Sequence, residues 1–211
     1  DLTRVGGQPR TKAAAIDAAT GRVLAWNPTV QGDKVVAVAV TPNAAYLGGT
    51  FTQIGGLPRA NLAALDLVTG APLPVALDAD GPVNALTAYD GAVFVGGAFR
   101  MLAGQARAGL ASIEAATGAL TAWAPPLRGR SRFGRLPYPE VKTLTVGGGK
   151  LFLAGDIDGV GDGDGGRRAA GCHGPRERRA ERKRGGNQQH QGGGTSHQPR
   201  GMRKHPDGTQ G

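Results

Sequence analysis

The stretch YLGGTFTQIGGLPRANLAALDLVTG, Tyr46 to Gly70, decides the fold, because most of the chain before residue 160 repeats part of it. VGGQPR (Val5 to Arg10), IGGLPR (Ile54 to Arg59) and LAGQAR (Leu102 to Arg107) follow one another at offsets of 49 and 48 residues. The same offsets separate Asp17, Asp66 and Glu114, and again the closing glycines of ATG, VTG and ATG at Gly21, Gly70 and Gly118. Five residues beyond each of those glycines stands Trp26, Val75 or Trp123. VVAVAV, VNALTA and VKTLTV begin at Val35, Val83 and Val141, and each leads into LGG, VGG or LAG. Several unrelated motifs on one spacing mark an internally repeated chain.

Within a copy, four short segments read as strands. Val35 to Val40 alternates Val and Ala, Tyr46 to Phe51 is apolar and Gly-bounded, Leu62 to Asp66 is apolar and ends at a turn, and Val23 to Trp26 is β-branched and aromatic. Thr41-Pro42-Asn43, Gly55-Gly56-Leu57-Pro58 and Thr69-Gly70 supply turn residues between them. Apolar runs stop at four to six residues and no helical period appears, so the expectation is an all-β protein. Four strands recurring at this period describe a β-propeller-type array of four-stranded antiparallel blades, about three of them, with copies near 5–53, 54–101 and 102–160. Gly48-Gly49 and Gly96-Gly97 fit points where the backbone bends or strands approach closely, and neither pair belongs to a phosphate-binding loop.

LGGTFTQIGGLPRANLAALDLVTG and its copies resemble the glycine-rich propeller repeats of bacterial cell-surface and secreted proteins, the delta-sixty type, grouped with the quinoprotein-like and YVTN-like propellers. The resemblance covers about residues 2 to 161. It implies a propeller fold and an extracellular or cell-surface location, and brings no set of catalytic residues with it. Leu2-Thr3-Arg4-Val5 aligns with Phe51-Thr52-Gln53-Ile54, so the pattern opens part-way through a copy and the chain reads as a piece of a longer array, whose remaining blades would be its partners.

The chemistry-bearing residues of the repeats point to architecture. Asp17, Asp66 and Glu114 each precede a Thr-Gly turn, where a carboxylate can accept backbone N–H groups. General acid–base pairs need two unlike environments, whereas these acids occupy one environment repeated. Trp26 and Trp123 read as packing wedges between blades. The repeats contain no His, no nucleophile motif and no zinc-binding motif, so no catalytic or cofactor-binding residue is assigned and no cofactor is expected. Asp156, Asp158, Asp162 and Asp164 in DIDGVGDGDGG are candidate metal ligands. As an EF-hand, however, the loop would place Val160 and Arg167 where an oxygen ligand and a Glu are required.

Two regions carry the net charge of +9. The spacing from Val83 to Val141 is 58, ten more than the preceding interval, and the added residues fall in PPLRGRSRFGRLPYPE. Arg128, Arg130, Arg132 and Arg135, interleaved with Phe133 and Tyr138, make a possible anion-binding loop for phosphate or an acidic polysaccharide. Residues 161–211 lack Val, Ile, Leu, Phe, Tyr and Trp, and they hold all four His and the single Cys172. Such a segment is expected to be disordered. If Arg176 and Arg178 use CGN codons, a one-base shift across Gly171 to Arg179 permits a copy of Ala63 to Gly70, so the tail also reads as an out-of-frame continuation rather than a nucleic-acid arm. No apolar run approaches the length of a membrane span. The functional expectation is a non-catalytic module that binds a protein or polysaccharide partner or spaces other domains. The alternative is a piece of a quinoprotein-like or hydrolytic propeller enzyme whose catalytic residues lie outside this chain.

Overall fold

A computed structural model describes residues 2–129, 138–161 and, as backbone, 172–173. The chain divides into two units, Asp1–Pro175 and Arg176–Gly211, of which the second lies outside the described residues. Nine strands form three main sheets: β1 (Val30–Val40), β2 (Ala45–Ile54) and β3 (Leu62–Leu65); β4 (Val83–Tyr89), β5 (Ala92–Gly97) and β6 (Leu110–Glu114); β7 (Glu140–Gly147), β8 (Lys150–Asp156) and β9 (Cys172–His173). All pairings are antiparallel, and in each sheet the middle strand of the three in sequence is also the middle one in space. No helix occurs among the described residues, so none is long and apolar enough to cross a membrane.

The order follows from short connections, since adjacent antiparallel strands need only a turn between them. Val35–Val40 and Tyr46–Phe51 fall within consecutive strands of one sheet and Leu62–Asp66 gives its third, which stops at Leu65; of the copies expected at 83–99 and 110–114, strands over 83–89, 92–97 and 110–114 form the next sheet. Each first-to-second pairing carries an irregularity at the same place in the repeat, between Val35 and Ala37, Val83 and Ala85, and Val141 and Thr143. The fourth segment departs from expectation. Val23–Trp26 is not a strand: Val23 makes a single bridge to Ile16, and its copies make one each, Leu65 with Pro72 and Ile113 with Leu120. In the first copy the chain turns away to place Trp26 against the next copy, and in the middle copy Pro72 and Pro74 cannot donate to a ladder.

The VGGQPR, IGGLPR and LAGQAR motifs fold as miniature hairpins: Arg4–Val5 with Gln8–Pro9, Gln53–Ile54 with Leu57–Pro58, and Met101–Leu102 with Gln105–Ala106. Their two-residue loops hold both central residues at positive φ, 58° and 79° at Gly55 and Gly56, the primed turn that matches strand twist. Ala103 takes the corresponding place in the third hairpin at 48°.

The sheets stack face to face, so the first two are buried on both sides, whereas the third, with Phe152 55% exposed, is covered on one. Along β3, Leu62 and Ala64 join a cluster with Tyr46, Val83, Val93, Val95 and Ile113, whereas Ala63 and Leu65 join one with Trp26, Val30, Leu47, Phe51 and Ile54. A third cluster, Ala85, Leu110, Val141, Leu144 and Leu151, seals the second sheet against the third. Period-2 alternation that would separate inside from outside in a half-exposed sheet here separates one seam from the next. At roughly 1.5–3 kcal/mol per fully buried Val, Leu or Ile side chain, these seams are the main source of stability. Gly48 and Gly96 mark the closest approaches. A Cβ on Gly48 would lie 2.6 Å from Val83 Cγ1, and one on Gly96 2.6 Å from Val141 Cγ1.

Candidate functional site

The acidic residues are committed to their own turns. Asp66 Oδ1 accepts from Thr69 N and Thr69 Oγ1, both at 2.7 Å, and from Val68 N at 3.0 Å. Asp17 repeats this with Thr20 N at 2.7 Å and Thr20 Oγ1 at 2.6 Å. Hydrogen bonds to the charged form hold both carboxyls below the usual aspartate value; the Thr69 N–H is the leading cause at Asp66, and the Thr20 hydroxyl at Asp17. The Glu114 carboxylate, one methylene longer, accepts the Thr117 hydroxyl at 2.6 Å and, among the described residues, no backbone N–H. In every copy the backbone carbonyl of the acid also closes the turn, accepting from Gly21, Gly70 or Gly118 N at 2.8–3.0 Å.

A second repeated group is less obvious in the sequence. Arg10, Arg59 and Arg107, the last residues of the hairpin motifs, each donate to the carbonyl of the preceding residue at 2.8 Å. Each then reaches fourteen residues ahead to a carbonyl of the bridged fourth segment: Leu24 O at 2.6 Å, Leu73 O at 3.1 Å and Thr121 O at 2.8 Å. The guanidinium is suited to this, because its planar fork can satisfy two carbonyls at once. In all three the Nε is buried with no protein partner. The recurrence of Arg at the 49- and 48-residue offsets was the sequence signal for this staple.

The candidate metal and anion residues are placed only in part. Asp156 ends β8 and accepts from Lys142 Nζ at 3.0 Å, a bond that also raises the Lys142 pKa. Asp158 is exposed, and its backbone N donates to Arg128 O at 2.7 Å. Among the described residues no group of three or more His, Cys, Asp or Glu converges as a metal set. Arg128 lies in the short strand Leu127–Arg128, paired with Gly159–Val160 at the base of the arginine loop. Tyr138, at the other end of that loop, has the Arg100 guanidinium 5.9 Å from its ring centre. Arg130, Arg132, Arg135, Asp162 and Asp164 lie outside the described residues. So does most of the 161–211 segment; its Cys172–His173 pair with Lys150–Leu151 in the place that β3 and β6 hold in their sheets.

The two tryptophans are packing groups, as expected. Trp26 is buried, and its Nε1 donates to Asp66 O of the next copy at 2.9 Å. Trp123 meets Phe94 edge to face, with ring centres 5.1 Å apart at 78°. Val75 holds the equivalent place at the seam between the first two sheets, and there a cavity of about 240 Å³ opens. Its walls are Ala44, Tyr46, Ala64, Leu73, Val75 and Ala115, with Asn43, Pro74 and Thr117 at an exposed edge. Burial pushes the Tyr46 phenol pKa up, so the hydroxyl stays neutral.

Compared with known proteins, the chain matches no family model and no curated protein.

Proposed function

We propose that this chain is a non-catalytic β-propeller-type repeat module of a secreted or cell-surface protein, which binds a protein or polysaccharide partner or spaces neighbouring domains. The observation that carries the reading is the succession of three antiparallel sheets, stacked face to face with core clusters between them, at steps of 48 and 58 residues in the sequence. Radially repeated sheets of this kind use each blade to cover the next. The polar side chains of the repeats support the same reading, because Asp17, Asp66 and the three arginines are used up in holding turns and segments together. The exported location rests on the resemblance of LGGTFTQIGGLPRANLAALDLVTG to bacterial surface propellers.

Thermal-shift titration with pyrroloquinoline quinone plus calcium, beside a panel of acidic and neutral polysaccharides, tests this role. The module reading expects no saturable shift with the quinone; a saturable shift there would move the chain to the quinoprotein-like enzymes. Electron microscopy of the full-length gene product tests the architecture. A ring of such sheets around a central axis is expected, and an open linear stack would refute the propeller.

A further inference from the structure

We propose that the cavity at the seam of the first two sheets is a binding site for a small, planar, one- or two-ring aromatic molecule carrying an N–H donor, of the indole class. Equivalent seams within the one chain differ in what fills them, whatever the function of the module. At the seam before the first sheet, the occupant is the chain's own indole: Trp26 is 6% exposed and bonds Asp66 O, the residue that opens a turn whose Leu67 and Val68 are largely exposed. One copy later, three side chains shorten together. Val75 replaces Trp26, Ala115 replaces Leu67 and Ala116 replaces Val68, at offsets of 49, 48 and 48.

Within each copy the turn keeps the same backbone pattern. The turn hydrogen bond Gly70 N to Asp66 O has its copy in Gly118 N to Glu114 O, and the pair Leu73 N to Ala64 O has its copy in Thr121 N to Ser112 O. Glu114 O, one residue before Ala115 of the cavity wall, is therefore held as Asp66 O is held, and among the described residues no indole N–H reaches it. What remains is about 240 Å³ of space walled mainly by aliphatic carbon. An enclosed apolar cavity of about 150 Å³ takes up benzene; this pocket, though open along one edge, has the volume for a one- or two-ring molecule. Tyr46 on its wall makes no hydrogen bond among the described residues and adds a second polar contact for a ligand. Exposed Asn43, Pro74 and Thr117 leave a way in. Trp123 restores an indole at the next equivalent position, so among these three copies the vacancy belongs to the middle one.

Calorimetric titration of the full chain with indole tests the site, alongside 1-methylindole and the variants Val75→Trp and Ala116→Leu. Wild type is expected to bind indole saturably at one site and to melt higher in its presence. 1-Methylindole, which has no N–H, is expected to bind roughly three- to tenfold more weakly. Val75→Trp should melt higher than wild type without ligand and lose indole binding at least tenfold, because its own ring takes the space. Should that variant fold poorly, Ala116→Leu narrows the same cavity and should weaken indole several-fold. No saturable binding by wild type, or undiminished binding by a well-folded Val75→Trp or Ala116→Leu, overturns the proposal. Equal affinity for indole and 1-methylindole overturns the N–H donor and the role given to the Glu114 carbonyl.

Discussion

Gly48→Ala probes the stacking of sheets directly, because it adds one methyl group at the point of closest approach. The added Cβ would stand 2.6 Å from Val83 Cγ1 and 3.2 Å from Val83 Cβ, whereas carbon atoms rest about 3.5–4.0 Å apart. The first two sheets would have to part by about 1 Å, or Val83, which is fully buried, would have to leave its rotamer. Overpacking of this sort costs about 1–3 kcal/mol. Val83→Ala alone removes two carbon groups at about 0.8 kcal/mol each and leaves a small void, giving a loss of roughly 2 kcal/mol. In the double variant the two errors compensate, so the pair should be less damaging than the sum by about 1–2 kcal/mol, within the range of contacting residues. Urea unfolding, with the midpoint and slope compared across all four proteins, gives these values. A Gly48→Ala protein within about 0.5 kcal/mol of wild type, or strict additivity in the double variant, would show that the two sheets do not meet at this pair.

Other substitutions follow from the repeated polar groups. Ala103→Gly relieves a non-glycine residue at φ 48° where the sister hairpins use Gly6 and Gly55. It should therefore raise the melting temperature, reflecting about 1 kcal/mol, and a lower melting temperature would contradict the turn assignment. Arg107→Ala breaks the tie between the third hairpin and Thr121 O, with an expected loss of about 1–3 kcal/mol in chemical denaturation. Lysine at the same place should recover only part of it, since an ammonium cannot span both carbonyls as the guanidinium does. For Asp66 the folded-state pKa lies below the unfolded one, so its contribution is fully present above the ordinary aspartate value of about 3.9 and is lost as pH falls through the depressed folded value. The stability gap between wild type and Asp66→Asn should thus be widest near neutral pH and close in acid; a gap that stays constant with pH would remove the carboxylate from the account.

The sequence was most informative where repetition and period reinforced one another. The 48- to 49-residue offsets and the alternation of VVAVAV placed the strands, their order and the points of close approach at Gly48 and Gly96. The ends of strands were less legible. β1 starts at Val30, and β2 runs on to Ile54, because pairing with the hairpin and with the preceding strand extends them past the apolar cores that period alone can see. Val23–Trp26 misled because β-branched and aromatic composition describes a side chain that packs well, and Trp26 packs into a seam rather than along a ladder. The cavity was half visible. The exchange of Trp for Val75 stood in the alignment of copies, but the simultaneous loss at Ala115 and Ala116 acquires meaning only when the turn of one sheet is known to face the fourth segment of another.

Burial on both faces also determines how such a chain can change over generations. A sheet with an outer surface can accumulate substitutions there one by one, but here neighbouring residues of β3 answer to different neighbours, Leu62 and Ala64 to one sheet and Ala63 and Leu65 to the other side. The natural unit of drift is therefore not the repeated sequence itself but the half-repeat facing its complement in the adjoining copy. Trp26 with Leu67 and Val68, and Val75 with Ala115 and Ala116, hold corresponding positions in successive copies and differ together. Copies of one ancestral unit can thus acquire individual interiors while their backbones remain interchangeable.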